Sequence, residues 1–386
     1  MIKTREDLDG LIHNKVPESK SLEYKRQLPG REDGGNVKIL QSITSFANTT
    51  GGELLYGVEA KDGIPIGLPG IDTLPSADAI TLRIENLYKD GVQERLPHLS
   101  FNFIEVENGK YVLVIGIPKS WAAPHRVTTG GHAHFYGRKT GSYPMDVSEL
   151  RSAFSLSQSI ADKACEFRSG RLQKILANDT PVPVSPAGKL VLHVIAASAF
   201  DPSTGVGVVP SREQRSKFSP VGWVQNCEHL NFDGYVSYTS FNTPNVSYTQ
   251  QFRSGIIESL LAFEEFGDGG FFLTPHWYEI RLIQSVENYM SALEHLGSSS
   301  PFFVFLSFLG IAQYQLIINT GAGGRFDFAR RKLDRDILIL PTVAIEDSKE
   351  ISSGMRALFD MVWNAFGLER SRYFNDESEW TGPMLS

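Results

Sequence analysis

The chain has 386 residues, 41% of them hydrophobic and 21% charged, with a formal net charge of -7. That length accommodates two globular domains, no run approaches the ~18 uninterrupted apolar residues of a membrane span, and the acidic balance excludes a global basic field for nucleic acid. The charged N-terminal stretch lacks the apolar core of a signal peptide, so a cytoplasmic protein without membrane partners is expected, and Cys165 and Cys227 are too few for a disulfide framework or a Cys-based zinc site. Almost all of the negative balance falls after residue 155, which leaves the N-terminal part as the one to face nucleic acid.

Thr4, followed by acidic residues, caps a short amphipathic helix over residues 5–14, with Leu8, Leu11 and Ile12 at helical spacing. Residues 21–28 read as a strand leading into the turn-rich loop PGREDGGN. Ile39, Leu40, Ile43 and Phe46 then predict a helix with one buried face, stopped by Asn48 to Gly52. ELLYGVE and IPIGL form a hairpin around Asp62-Gly63. Ala77, Ile80 and Ile84 line a second helix within 71–90, and SFNFIEVE and KYVLVIGIP are antiparallel strands joined through Asn108-Gly109. An aromatic strand at HFYGRKTG and a helix opened by Asp146 and Ser148 close a mixed α+β domain over residues 1–155.

Residues 156–188 read as an amphipathic helix, 158–178, and a Pro-, Ser- and Gly-rich linker. Beyond it, the apolar run LVLHVIAASAF predicts the central strand of a second sheet. Further strands are expected at FDGYVSYT, SYTQQFRSG, PFFVFLSFLGI, YQLIIN and ILILPTVAI, with helices near 279–296 and 347–366. Residues 189–386 therefore form a second domain, α/β or α+β, of unassigned role.

The stretch from Glu18 to Lys25 carries the chemistry. Side chains two apart in a strand share a face, so Glu23 and Lys25 pair a carboxylate with a cation while Tyr24 points away. Glu18 converges with Glu23 only if Ser19 to Ser21 turn. The strand after the first long helix delivers Glu59, with Asp62 three residues on. Three carboxylates brought together would hold Mg²⁺ or Mn²⁺, with Lys25 neutralising a phosphoryl group, which is nuclease chemistry. A solvated strand explains the same alternation of Glu and Lys.

ESKSLEYKRQL, SFANTTGGELLYGVE followed by a DG turn and IPIGL, and FYGRKTGSYPMDVSEL stand in the order and spacing of the Schlafen core, and the chain resembles that AlbA-like Schlafen family over roughly residues 10–155. The resemblance implies a Schlafen-like N-terminal fold and a metal-dependent endonuclease acting on structured RNA such as tRNA. Its metal ligands would be Glu18, Glu23 and Glu59, with Lys25 in the catalytic set and Arg26, Tyr136, Arg138 and Lys139 contacting nucleic acid. Glu59 stands where that family commonly has aspartate. Relatives are also regarded as non-catalytic regulators that bind DNA, the alternative function. RNA is favoured over DNA as partner, a homo-oligomer or protein partner is expected through the C-terminal domain, and a role in bacterial defence follows by resemblance only.

Other residues carry paired readings. Asn48 to Gly52 cradle a phosphate or end a helix; lacking GxxxxGK[ST], they favour the helix end. Arg138 and Lys139 clamp a phosphate backbone beside a stacking ring, or are an exposed basic hairpin. His125, His132 and His134 suggest zinc but lack a clear third ligand. His193 reads as a satisfied core histidine, Cys227 with His229 as coincidence, and Arg330-Arg331-Lys332 with Arg335 as a loop compensated by Asp334 and Asp336.

Overall fold

The computed structural model describes residues 2–72, 76–94, 96–107, 109–131, 133–200, 210–222, 225, 227–240, 244–263, 271–298, 300–319, 326–329 and 331–382. The chain divides into two compact units, 1–159 and 160–386. Both mix helices and sheets, giving an α+β protein. Among the described residues no helix is long and apolar enough to cross a membrane.

The first unit opens with α1 (Arg5–His13), where Thr4 and Asp7 cap each other reciprocally and Leu8 is buried. It is followed by β1 (Leu22–Lys25), α2 (Asp33–Ala47), β2 (Gly52–Tyr56), β3 (Glu59–Lys61), β4 (Ile64–Gly67) and α3 (Ala77–Gly91). The unit continues with β5 (Val92–Gln93), β6 (Ser100–Glu105), β7 (Tyr111–Ile117), β8 (Arg126–Val127), β9 (His134–Arg138) and β10 (Ser142–Pro144). One sheet has the order β1-β2-β7-β6 and a second the order β10-β9-β8-β5. β1 runs parallel to β2, with Glu23 opposite Leu54, and the remaining pairs are antiparallel.

Strand alternation sorts the first sheet's side chains. Leu113, Ile115 and Ile117 of β7 join Ile39, Ile43 and Phe46 of α2 on one face, while Val112 and Val114 join Leu8 and Tyr24 on the other. The second sheet covers the opposite side of α2, where Leu40 meets Val127 and Tyr136. α2 is therefore buried on two sides rather than on the one its apolar spacing predicts. Its polar interior residues are satisfied locally: Thr44 donates to the Leu40 carbonyl at 2.8 Å and Ser45 to that of Ser42 at 2.8 Å.

The helix also starts earlier than its apolar run, taking in Gly34 and Gly35. Arg83 of α3 anchors that entrance by donating to the carbonyls of Pro29 and Gly30 and to Asn36 Oδ1, a tertiary contact that offsets poor local propensity. The hairpin at Asp62-Gly63 forms as expected, with φ of 51° and 75° at the two positions, the pair of left-handed residues a tight hairpin needs. Asn108 of the other expected hairpin lies outside the described residues, but β6 and β7 pair as predicted, Glu105 opposite Tyr111.

α4 (Val147–Leu176) is one continuous helix where two were expected, and the division between the units falls within it. The second unit contains β11 (Lys189–Ala196), β12 (Cys227–Leu230), β13 (Gly234–Thr239), β14 (Ser247–Phe252), β15 (Ile256–Ala262) and β16 (Phe272–Leu273). These are followed by α5 (Pro275–His295), β17 (Phe302–Leu309), β18 (Gln315–Asn319), β19 (Phe326–Phe328), β20 (Ile337–Ile339), β21 (Val343–Ile345) and α6 (Ile351–Ala365). β11 is central, as its apolar run predicts, between β15 and β17 in an eight-stranded sheet. Its neighbours are all antiparallel, so the second domain is α+β and the α/β alternative does not hold. Leu190, Leu192 and Val194 face the core built with α5 and α6, and Val191 and Ile195 face the residues of α4 from 160 onward.

Candidate nucleic-acid interface

The turn that would let Glu18 and Glu23 approach is present: Ser19 N–H donates to the Leu22 carbonyl at 2.9 Å. Glu18 N–H donates to the Gly63 carbonyl at 2.8 Å, which seats Glu18 beside the β3–β4 turn, and its Oε1 accepts from Tyr24 N–H at 2.9 Å. Burial, with the Glu18 charge, pushes the Tyr24 phenol up to about 12, and its hydroxyl donates to the Val16 carbonyl at 2.9 Å.

Glu23 and Lys25 share a face and touch, Nζ to Oε1 at 2.6 Å. The second oxygen of Glu23 takes Arg138 Nη1, also at 2.6 Å. Glu23 is 5% exposed and the Arg138 side chain 0%. The Arg138 guanidinium also donates to the carbonyls of Lys20 at 3.2 Å, Thr140 at 3.3 Å and Ser19 at 3.4 Å, and stacks 3.9 Å over the Phe46 ring. Glu23 and Arg138 thus form a buried, hydrogen-bonded ion pair that fastens β1 to the end of β9.

This placement differs from the expectation that Arg138 and Tyr136 contact nucleic acid. Both are buried, because β9 is flanked by β8 and β10 and covered by α2, so neither a guanidinium to clamp phosphate nor a ring to stack is presented to solvent. Lys139, the next residue, is exposed and lies 5.2 Å from the Tyr143 ring centre. Lys20, whose carbonyl Arg138 holds, is exposed as well, and Lys25 is 46% exposed. Arg26 is exposed and pairs with Glu59 at 2.9 Å.

Glu18, Glu23 and Glu59 therefore lie on neighbouring elements, each already engaged: Glu18 by a backbone N–H, Glu23 by two cations, Glu59 by Arg26. Among the described residues no group of three or more His, Cys, Asp or Glu converges on one point. As arranged, the three carboxylates do not fit Mg²⁺ or Mn²⁺, which require several free oxygens around one centre.

Asn48, which ends α2, also makes tertiary hydrogen bonds that a helix end alone does not require. Its Nδ2 donates to the carbonyls of His125 at 3.1 Å and Tyr136 at 2.9 Å, and its Oδ1 accepts from His125 N–H at 2.7 Å. One side chain joins the end of α2 to the residue preceding β8 and to β9. Gly51, at φ 69°, has backbone where a β-carbon would stand, 2.5 Å from Lys119 N, and its N–H donates to the Phe46 carbonyl at 2.9 Å, so it serves as a packed helix exit.

His125 is buried and neutral, its pKa pushed down to about 4 by burial against the opposing effect of the Glu94 carbonyl. His132 lies outside the described residues and His134 is exposed on β9. In the second unit His193 is buried, with Nε2 3.0 Å from Glu258 Oε2. Asp334 pairs with both Arg331 and Arg335, at 3.0 and 3.6 Å, whereas Asp336, the other expected partner, accepts from Ala312 N–H at 3.4 Å; Arg330 lies outside the described residues.

The first unit thus defines an α+β domain in which Glu23 of the Glu-Tyr-Lys stretch is folded inward as an ion pair with Arg138, beside the exposed Lys20, Lys25 and Lys139. Residues 18–146 match the family described as "Schlafen, AlbA_2", so the N-terminal unit carries a Schlafen-type AlbA-like domain, a domain with a nucleic-acid-related function. Solved structures similar to the chain include the N-terminal domain of a RecG-related protein from Nitrosomonas europaea. The identity is 20% and the TM-score 0.27, over 38% of this chain and 93% of that one. Another is the DIP2311 protein from Corynebacterium diphtheriae, 17% identical with a TM-score of 0.25, over 38% of this chain and 27% of that one. No curated protein shows significant similarity to the chain.

Proposed function

We propose that the Schlafen-type domain binds nucleic acid, RNA ahead of DNA, through the exposed lysines grouped around the buried Glu23–Arg138 pair. One observation carries this reading. Arg138 donates to the Lys20 carbonyl and also precedes Lys139, while Glu23 holds Lys25, so a single buried pair gathers three exposed or half-exposed lysines along one edge. Lysines so placed neutralise phosphates as point charges without needing a metal.

The test is fluorescence anisotropy of the full chain with tRNA, single-stranded RNA, single-stranded DNA and duplex DNA across salt. Binding should weaken steeply between about 50 and 200 mM salt and survive EDTA. Lys20→Ala with Lys139→Ala should weaken it and reduce the salt slope by about one per lysine. No association with any nucleic acid at low salt would end this reading.

A second reading, metal-dependent endonuclease with Mg²⁺ or Mn²⁺ on Glu18, Glu23 and Glu59, draws on the closeness of Glu18 to the β3–β4 turn. It requires Glu23 and Glu59 to give up their cations. Cleavage in Mg²⁺ or Mn²⁺ that EDTA stops and Glu18→Ala or Glu59→Ala abolishes would establish it; intact substrate throughout would remove it. The more acidic C-terminal domain, in this proposal, serves assembly or a protein partner, and a monomer by mass photometry with unchanged nucleic-acid binding by residues 1–160 would count against that role.

A further inference from the structure

Away from the Glu23–Arg138 pair, the first unit has a second basic feature that the proposed interface does not use. A cleft of about 380 Å³ opens between the loop after β1, residues 70–72 and the first turns of α3. Leu28, Ile71 and Ile80 supply apolar wall, and its charged lining is Arg31, Arg83 and Lys110 against Asp72.

We infer that this cleft takes a phosphate monoester carried on a nucleotide: the terminal phosphate of an oligonucleotide or that of a free nucleotide. Three cations and one carboxylate leave the lining with an excess of positive charge close to the two negative charges of a monoester near neutral pH, where an internal phosphodiester carries one. The apolar wall suits a base or sugar, and the size falls in the range of small-ligand sites.

Arg83 is built into the site in advance. Its Nη2 is bound to the carbonyls of Pro29 and Gly30 and to Asn36 Oδ1, so the planar guanidinium is fixed at the cleft before any ligand arrives and less rotamer freedom is lost on binding. Burial and the nearby positive charge of Arg31 both push the Arg83 pKa down, against Glu32 and Tyr56. Two like charges held close at one cleft are relieved by an anion. Arg31 is exposed, and no side-chain partner of Arg31 or Lys110 is present among the described residues. Glu32, the neighbouring carboxylate, packs over Gly30 and Gly35, where a β-carbon would collide with it, and is not part of the cleft wall.

The oligonucleotide source rests on the nucleic-acid reading above, whereas the phosphate chemistry of the cleft does not. The experiment measures affinity of the full chain for one oligonucleotide sequence bearing a 5′-phosphate, a 3′-phosphate or hydroxyl ends, with adenosine monophosphate tested both as ligand and as competitor. A phosphorylated end should bind about tenfold more tightly than the hydroxyl form, the size expected of charge-assisted hydrogen bonds. The advantage should vanish in Arg31→Ala with Lys110→Ala and persist in Lys20→Ala with Lys139→Ala. Direct binding and competition by adenosine monophosphate would identify the free nucleotide as a source, and a preference for phosphorylated ends without competition would identify the polymer terminus. Equal affinity for all three oligonucleotides, with no binding of adenosine monophosphate, overturns the inference and leaves the nucleic-acid reading standing. Adenosine monophosphate bound through Arg31 and Lys110, with no oligonucleotide bound, supports the cleft and ends that reading; no binding of any probe overturns both.

Discussion

Replacing Arg138 by leucine removes the one cation that, among the described residues, is fully enclosed with Glu23, and its cost can be worked from the geometry. The guanidinium is 2.6 Å from Glu23 Oε2 and holds carbonyls on both the β1 side and the β9–β10 turn. Opposite charges about 4 Å apart attract by ~4 kcal/mol at an effective dielectric constant near 20. Without Arg138, Glu23 is left buried with Lys25 as its partner, and that lysine is 46% exposed and well screened. Breaking one side of a buried pair costs about 3–5 kcal/mol, a substantial fraction of the ~5–15 kcal/mol by which a domain is stable. Hydrogen exchange by mass spectrometry on the full chain would read this locally, as a matching fall in the opening free energy of the β1 and β9 amides. The double substitution Arg138→Leu with Glu23→Leu should recover the larger part, because no charge is then stranded. Exchange in Arg138→Leu within about 1 kcal/mol of the parent protein would refute the view that the pair holds the unit together. Glu23→Ala likewise strands Arg138, so loss of function in that variant does not by itself identify a metal ligand.

Further outcomes concern three buried or half-buried polar groups. Asn48→Ala removes three hydrogen bonds that join the end of α2 to His125 and to Tyr136 of β9 and should destabilise the first unit by about 2–4 kcal/mol in a denaturant titration. Glu258→Gln should cost about 3–5 kcal/mol in the second unit, because Arg171, bound through two contacts of 2.8 Å, and His193 lose their common anion. Burial alone would raise the Glu258 pKa, but Arg171 and His193 hold it at about 2, so the stability it contributes is present above its ordinary value near 4.5 and is lost as pH falls toward 2. Glu279 acts with the opposite sign: burial raises it to about 8 despite hydrogen bonds from Trp363 and Ser371. The native state then keeps a proton the unfolded chain releases, so stability of the second unit should fall between pH 4.5 and 8, by on the order of 5 kcal/mol, and Glu279→Gln should flatten that slope in thermal melts across pH.

The features legible in the sequence are those set by short-range periodicity. The two-residue repeat placed Glu23 and Lys25 on one face, Asp62-Gly63 set a hairpin, and the unbroken apolar run of β11 placed it at the centre of its sheet. Features that depend on distant partners were not legible. β15, Ile256 to Ala262, is fully buried yet carries Glu258 and Ser259 at its middle, which reads as a break until Arg171 of α4 and His193 of β11 arrive to pair with the glutamate. Arg138 follows the same rule, since its partner lies 115 positions earlier in the chain and nothing local distinguishes an arginine that will be enclosed from one that will face water.

That shared cause separates the spacing of the charged residues, which local sequence carries, from their exposure, which distant partners decide. In this protein three of the acidic groups that matter most, Glu23, Glu258 and Glu279, lie inside, the first two neutralised by arginines and the third held protonated near neutral pH. The alternating Glu and Lys of β1 therefore share a face but not an exposure: Glu23 is enclosed with Arg138, and Lys25 beside it reaches solvent. Pairing with Arg138 offsets the negative charge of Glu23, so the positive charge of the exposed Lys20, Lys25 and Lys139 is the part that faces solvent.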